Sequence, residues 1–124
     1  MGTSMQKQAN EITLAKHGDV TLLDIKGDVT AFSEPFLNSA YKDSNSAGAT
    51  KILLQFQQDA YINSGGIALL IQILAQTKRN KQKVGLTGLS EHFKKVFHMV
   101  GITRFASIYP TQDEALKALS STAV

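Results

Sequence analysis

The chain contains no cysteine and no tryptophan, and only two prolines, in 124 residues. Without cysteine there is no disulfide scaffold, no thiolate metal site and no cysteine nucleophile. The absence also fits a reducing compartment. No run reaches the roughly 18 apolar residues that a membrane span needs. The start, Met1-Gly2-Thr3-Ser4-Met5, lacks a basic stretch followed by an apolar one, so no secretory leader is expected. Met5 is a second methionine, and residues 1–4 read as a cloning remnant outside the fold. The expected location is the cytoplasm, without membrane insertion. The three histidines, His17, His92 and His98, lack metal-ligand spacing. No metal and no cofactor is expected.

Hydrophobic residues make up 43% of the chain and charged residues 19%, which is ordinary globular usage. The length suits one domain able to bury a core without staples. Its expected limits are 11–120, after an N-terminal extension over 1–10. The net charge of +3 is below that of a dedicated nucleic-acid binder, so no direct nucleic-acid contact is expected. The charge is unevenly spread. Residues 1–77 carry five basic and seven acidic groups, whereas 78–124 carry eight basic and three acidic. Lys78, Arg79, Lys81, Lys83, Lys94, Lys95 and Arg104 form the basic cluster. It reads either as a solvated surface or as a patch that steers an acidic partner.

Two β-rich runs, Glu11 to Lys16 and Val20 to Lys26, flank His17-Gly18-Asp19 and read as a hairpin. Asp28 to Ser33 reads as a loop. Ser33 is the expected N-cap of a short helix over 34–43, with Glu34 and Pro35 in its first turn. Phe36, Leu37, Ala40 and Tyr41 supply its helical spacing. Ser44 to Thr50 is small and polar, a loop. Lys51 to Phe56 is almost continuously apolar, as a buried central strand is. A long apolar segment from Ser64 to Lys78 reads as a helix. Gln82 to Thr87 is the fourth strand. Ser90 caps a helix over Glu91 to Val100, with Phe93, Val96, Phe97 and Val100 on its apolar face. Ala106 to Tyr109 is a short strand, and Pro110-Thr111 opens a last helix. The order β-β-α-β-α-β-α-β-α predicts an α/β domain with one mixed sheet of four to five strands.

The informative stretch is Tyr61-Ile62-Asn63-Ser64-Gly65-Gly66-Ile67. A serine stands where a strand-to-helix loop becomes a helix, and two glycines follow. Backbone N–H groups and the macrodipole favour an anion there. Ser64 is placed either to carry or contact a phosphate or, alternatively, to cap the helix. The segment is no P-loop, because no Gly-Lys-Ser/Thr follows, and no nucleophile elbow, because the glycines do not flank the serine. A helical wheel at about 100° per residue puts Ile67, Leu70, Ile71 and Leu74 toward the sheet. It puts Gln72, Gln76 and Arg79 outward and Leu69 beside them, as an exposed contact residue. Asp24, Asp28 and Asp59 are candidate acid/base groups or turn residues. No catalytic constellation is found.

Taken together, these stretches resemble the STAS domain family of anti-sigma factor antagonists. The resemblance rests on Gly27-Asp28-Val29-Thr30 and on Tyr61 to Ile67. It rests also on Val84-Gly85-Leu86-Thr87-Gly88-Leu89-Ser90, with Phe93 to Phe97 and Val100-Gly101-Ile102 behind it. The tail Ile108-Tyr109-Pro110-Thr111 with Glu114-Ala115-Leu116 matches as well. The resemblance implies helices mainly on one side of the sheet. It also implies a non-enzymatic regulator that binds a serine-kinase anti-sigma factor and thereby frees a sigma factor. Phosphorylation of the serine at the start of the second helix would break that complex, and a PP2C-type phosphatase would restore it. The matching position is Ser64. The implied contact surface is Asp28, Thr30, Ser33, Asn63, Ser64, Gly65, Gly66 and Leu69. The chain departs from the family pattern at Asn63, Gly65, Thr30 and Gln55. Asparagine, threonine and glutamine there replace usual aspartates, which makes the site less acidic. STAS domains also serve as small subunits of lipid-transporting ABC systems, which is the alternative. A nucleotide-binding protein is a third reading, weakened by the lack of a basic residue beside the glycines.

Overall fold

The computed structural model describes residues 10–120. The cloning remnant and most of the N-terminal extension expected from the sequence lie outside the described residues. β1 (Glu11–His17) and β2 (Val20–Lys26) form the hairpin, and Gly18 takes the left-handed conformation its turn requires. β3 (Lys51–Gln55), β4 (Lys83–Thr87) and β5 (Ser107–Ile108) continue the sheet in parallel. The spatial order is β1-β2-β3-β4-β5, the order of the chain. Helices α1 (Glu34–Ser46), α2 (Ser64–Arg79) and α3 (Glu91–Met99) link successive parallel strands. Each link moves the sheet one strand in the same direction. Right-handed crossovers therefore bring all three helices to one face. α4 (Gln112–Ser120) follows the last strand and covers the other face.

Strand alternation sorts the core into two layers. Leu23, Ile25, Ile52, Leu54, Val84 and Leu86 face α1, α2 and α3 and form the larger cluster. Val20, Leu22 and Leu53 face the other way and pack with Ala115 and Leu119 of α4. Phe97 is wholly buried and meets Phe56 edge-on at 6.3 Å. Truncating a ring so enclosed costs about 3–5 kcal/mol.

Several expectations need correction. The first helix runs to Ser46 rather than stopping at residue 43. Ser44 is buried, and its hydroxyl donates to the Ala40 carbonyl, so the polar-looking residues continue the helix. Gly48, at positive φ, ends it. Ser33 is no N-cap by its side chain. The expected loop before it holds a 3-10 turn, Ala31–Ser33, which Thr30 caps. Phe36 and Val100 are exposed rather than in the core.

The largest correction concerns α2. Its core face is Gly66, Leu69, Leu70, Ile73, Leu74 and Thr77. Leu69 is 5% exposed, and the half-buried Ile67 and Ile71 lie to the side. The cause is Gly66, where a Cβ would overlap the Val29 carbonyl oxygen. Only glycine permits this approach. Residues three, four, seven and eight positions after it therefore face inward.

Candidate functional site

The site lies where β2 and β3 end, on the side of the sheet at which the parallel strands point outward. Two loops are stitched together there. Val29 and Ile62 form an isolated parallel bridge. The Val29 N–H donates to the Tyr61 carbonyl at 2.9 Å, and the Asn63 N–H donates to the Val29 carbonyl at 3.2 Å. Asp28 adds a side-chain link, its Oδ1 accepting the Tyr61 N–H at 2.9 Å. From the opposite side the Asn10 amide donates to the carbonyls of Lys26 and Asp28, at 3.0 and 2.9 Å. The first loop is thus held at both ends, and its position fixes the start of α2.

The 3-10 turn is closed by its own hydroxyls. Thr30 Oγ1 accepts the Phe32 N–H at 3.1 Å. Ser33 Oγ accepts the Thr30 N–H at 3.0 Å and donates to the Asp28 carbonyl at 3.3 Å. Ser33 is wholly buried, so its part is to shape the loop and not to present a side chain. The same holds for Leu69, which the sequence reading set at the surface.

The cap of α2 is Asn63, not Ser64. Asn63 has extended backbone, and its Oδ1 accepts the Gly66 N–H at 2.9 Å. Such a cap contributes about 1 kcal/mol. Ser64 is then the first helical residue. It is exposed, and its hydroxyl makes no hydrogen bond among the described residues. The first turn of α2 holds no acidic side chain of its own. Gly65 sits close to Ala31, whose Cβ would lie 3.1 Å from an added methyl. Gly66 is buried against Val29. The glycines therefore dock the helix on the loop and keep bulk away from the serine.

Among the sequence-derived positions, the structure brings Asp28, Thr30, Ser33, Asn63, Ser64, Gly65 and Gly66 into one cluster. The candidate carboxylates do not converge. Asp24 stands opposite Gln55 in the β2–β3 register, Asp28 holds the Tyr61 amide, and Asp59 is exposed in the connection after β3. Among the described residues, no group of three or more His, Asp and Glu side chains could hold a metal ion.

Sequence reasoning missed two residues. Phe32 is 66% exposed in the 3-10 turn, and Tyr61 is 59% exposed just ahead of Asn63. Tyr61 leans edge-on against Phe93 of α3, with ring centroids 6.1 Å apart. An exposed aromatic in each of the two stitched loops makes apolar surface of the kind that anchors protein contacts. The available signal was a single aromatic in each of the two loops, at Phe32 and at Tyr61.

Comparison with known proteins agrees with this architecture. The STAS domain model matches residues 11–115, and the chain belongs to that family. An anti-sigma factor antagonist from Mycobacterium paratuberculosis superposes with a TM-score of 0.76 at 19% identity, over 91% of this chain and 96% of that one. The Bacillus cell fate determinant SpoIIAA in its phosphorylated form gives 0.62 at 16% identity, over 87% and 98%. The anti-sigma factor antagonist SpoIIAA in its unphosphorylated form gives 0.66 at 13%, over 92% and 100%. At these identities the likeness is one of fold. Among the described residues, no helix is long and apolar enough to cross a membrane.

Proposed function

We propose that this STAS domain is an anti-sigma factor antagonist that acts by binding rather than by catalysis. Its partner is an anti-sigma factor with serine kinase activity, and binding frees a sigma factor in the cytoplasm. The kinase phosphorylates Ser64 and ends the complex, and a PP2C-type phosphatase reverses the step. Asp28, Thr30, Asn63, Gly65 and Gly66 shape the contact surface, and the exposed Phe32 and Tyr61 of the same two loops add apolar area to it.

One observation carries this reading. Ser64 is an exposed serine at a helix start whose capping is already done by Asn63. A hydroxyl with no structural duty can be esterified without loss of fold. The phosphate adds about −1.5 to −2 charges. Its own helix tolerates them, because the dipole and the free N–H groups favour an anion. A partner packed over Phe32 and Tyr61 would meet that charge in a desolvated contact and be repelled.

The test is co-purification from source cells with wild type and Ser64→Asp, bound proteins being identified by mass spectrometry. Wild type should retain a kinase-fold protein that Ser64→Asp loses. Equal retention of an ABC ATPase by both would instead establish the transporter-subunit role and end the antagonist reading.

A further inference from the structure

The far end of the sheet is built on other principles. α2 carries the chain about 22 Å from Ser64, at 1.5 Å per residue, before the turn into β4. From residue 78 to 112 the chain has seven Lys and Arg and a single carboxylate, Glu91. Glu91 is paired with Lys94 at 2.9 Å. Lys78, Arg79, Lys81, Lys83 and Arg104 have no carboxylate partner among the described residues. Lys81 lies in the turn between α2 and β4, with Lys78 and Arg79 at the helix end and Lys83 at the strand start, and that turn is firmly held. The Gln82 side chain accepts from the Tyr41 hydroxyl at 2.7 Å and donates to Asn45 Oδ1 at 2.7 Å and to the Ala49 carbonyl at 2.9 Å.

The short last strand leaves room beside these cations. β5 pairs only with Gly85 and Leu86, so Lys83 and Val84 have no β5 neighbour. A hollow of about 260 Å³ opens there, lined by Lys83, Thr103, Arg104, Ser107 and Tyr109 among others. A second hollow of about 460 Å³ adjoins it through Thr103, Arg104 and Phe105 and is walled by Met99 and Val100. Among the described residues, no acidic side chain lines either one. Met99 is 84% exposed, and the Lys78 ammonium sits 5.8 Å from the Phe105 ring centroid. The result is a groove with cations and hydroxyl donors at one end and a flexible apolar wall at the other.

We infer that this groove binds an acidic, amphipathic peptide segment of a partner protein, at a surface separate from Ser64. Carboxylates of the segment answer Lys83 and Arg104, and a bulky apolar residue fills the hollow beside Met99, a side chain suited to adaptable packing. A nucleic acid strand would want an open aromatic face for stacking, but Phe105 lies under Lys78 and the half-buried Tyr109 packs its ring beside Gly85 and the cluster under α4. A lipid surface would meet only the rim of a concave site. The contact does not depend on the switch at Ser64, so it would hold a partner in place through both phosphorylation states.

The test uses the full chain, labelled with ¹⁵N, and a short peptide of glutamates carrying two leucines four positions apart. Amide shifts should move at Lys83, at Met99 to Phe105 and at Ser107. Lys83→Glu with Arg104→Glu should weaken binding by about tenfold or more, as expected for reversed charges in a contact. Met99→Ser should weaken it a few-fold, and Ser64→Asp should leave it unchanged. Thermal melting checks that the charge reversals fold, and Arg104→Glu alone serves if the double variant melts early. Shifts centred elsewhere would overturn the proposal, as would binding that survives charge reversal or no binding at millimolar peptide. Equal binding of the glutamine version of the peptide, or tighter binding of an oligonucleotide or an anionic vesicle at the same amides, would do so too.

Discussion

Two serines stand at the starts of neighbouring helices, and they do different work. Ser90 is the N-cap of α3, and its hydroxyl accepts the Phe93 N–H at 3.2 Å. Ser64 is one position further in, behind the cap Asn63, and its hydroxyl makes no hydrogen bond among the described residues. Both starts are pressed against a neighbouring backbone through a glycine. Gly66 leaves no room for a Cβ beside the Val29 carbonyl, and Gly88 leaves none beside the Phe56 carbonyl. The electrostatics differ as well. α3 has Glu91 in its first turn, and the hydrogen bond from Lys94 holds that carboxyl below the usual carboxylate range. α2 has no acid in its first turn. The same local motif thus yields one helix start that is complete and one that still has place for an anion.

The most severe way to break the comparison is to remove its common frame. Gly66→Ala should cost about 3 kcal/mol, since the new methyl would displace the loop or the helix. Urea denaturation measures this. Next come the caps. Ser90→Ala and Asn63→Ala should each cost about 1 kcal/mol, in the same assay. Ser64→Ala should stay within about 0.5 kcal/mol, the contrast that separates the two serines. Ser64→Asp should be neutral or stabilising by a few tenths, since it supplies the missing charge at the dipole end. A loss of 1 kcal/mol from Ser64→Ala would show that the hydroxyl caps after all. The smallest effect belongs to Glu91→Gln. The Glu91 carboxyl is depressed in the folded state, so its contribution is present above the ordinary carboxylate range and fades as pH falls through the folded value. The variant should therefore melt slightly earlier than wild type at neutral pH and match it in strong acid.

Much of this was legible in the residues, because local chemistry and global fold agree. The Gly18 turn between two β-rich runs, the unbroken apolar stretch Ile52 to Leu54 and the spacing of Phe93 and Phe97 each led to the observed element. The failures have physical causes. The face of α2 was misjudged because a wheel weighs side chains and Gly66 has none, though its contact with Val29 orients the helix. Asn63 and Ser64 are both good caps, and the long-range links of Val29 and Asp28 to Tyr61, Ile62 and Asn63 fix which one occupies the cap position. Ser44 reads as a loop residue until its hydroxyl is seen to turn back onto Ala40. Ser33 and Leu69, expected as contact residues, are buried and present no side chain at the surface. Phe32 and Tyr61 went unnoticed because their exposure depends on how the two loops are stitched, which pairs residues more than thirty positions apart.

The most direct measurement is phosphosite mapping by mass spectrometry on the protein recovered from its own cells across growth conditions. The account predicts a phosphate on Ser64 and none on Ser90, whose hydroxyl is held in a cap. Ser64 unmodified under every condition, or Ser90 modified instead, would contradict it.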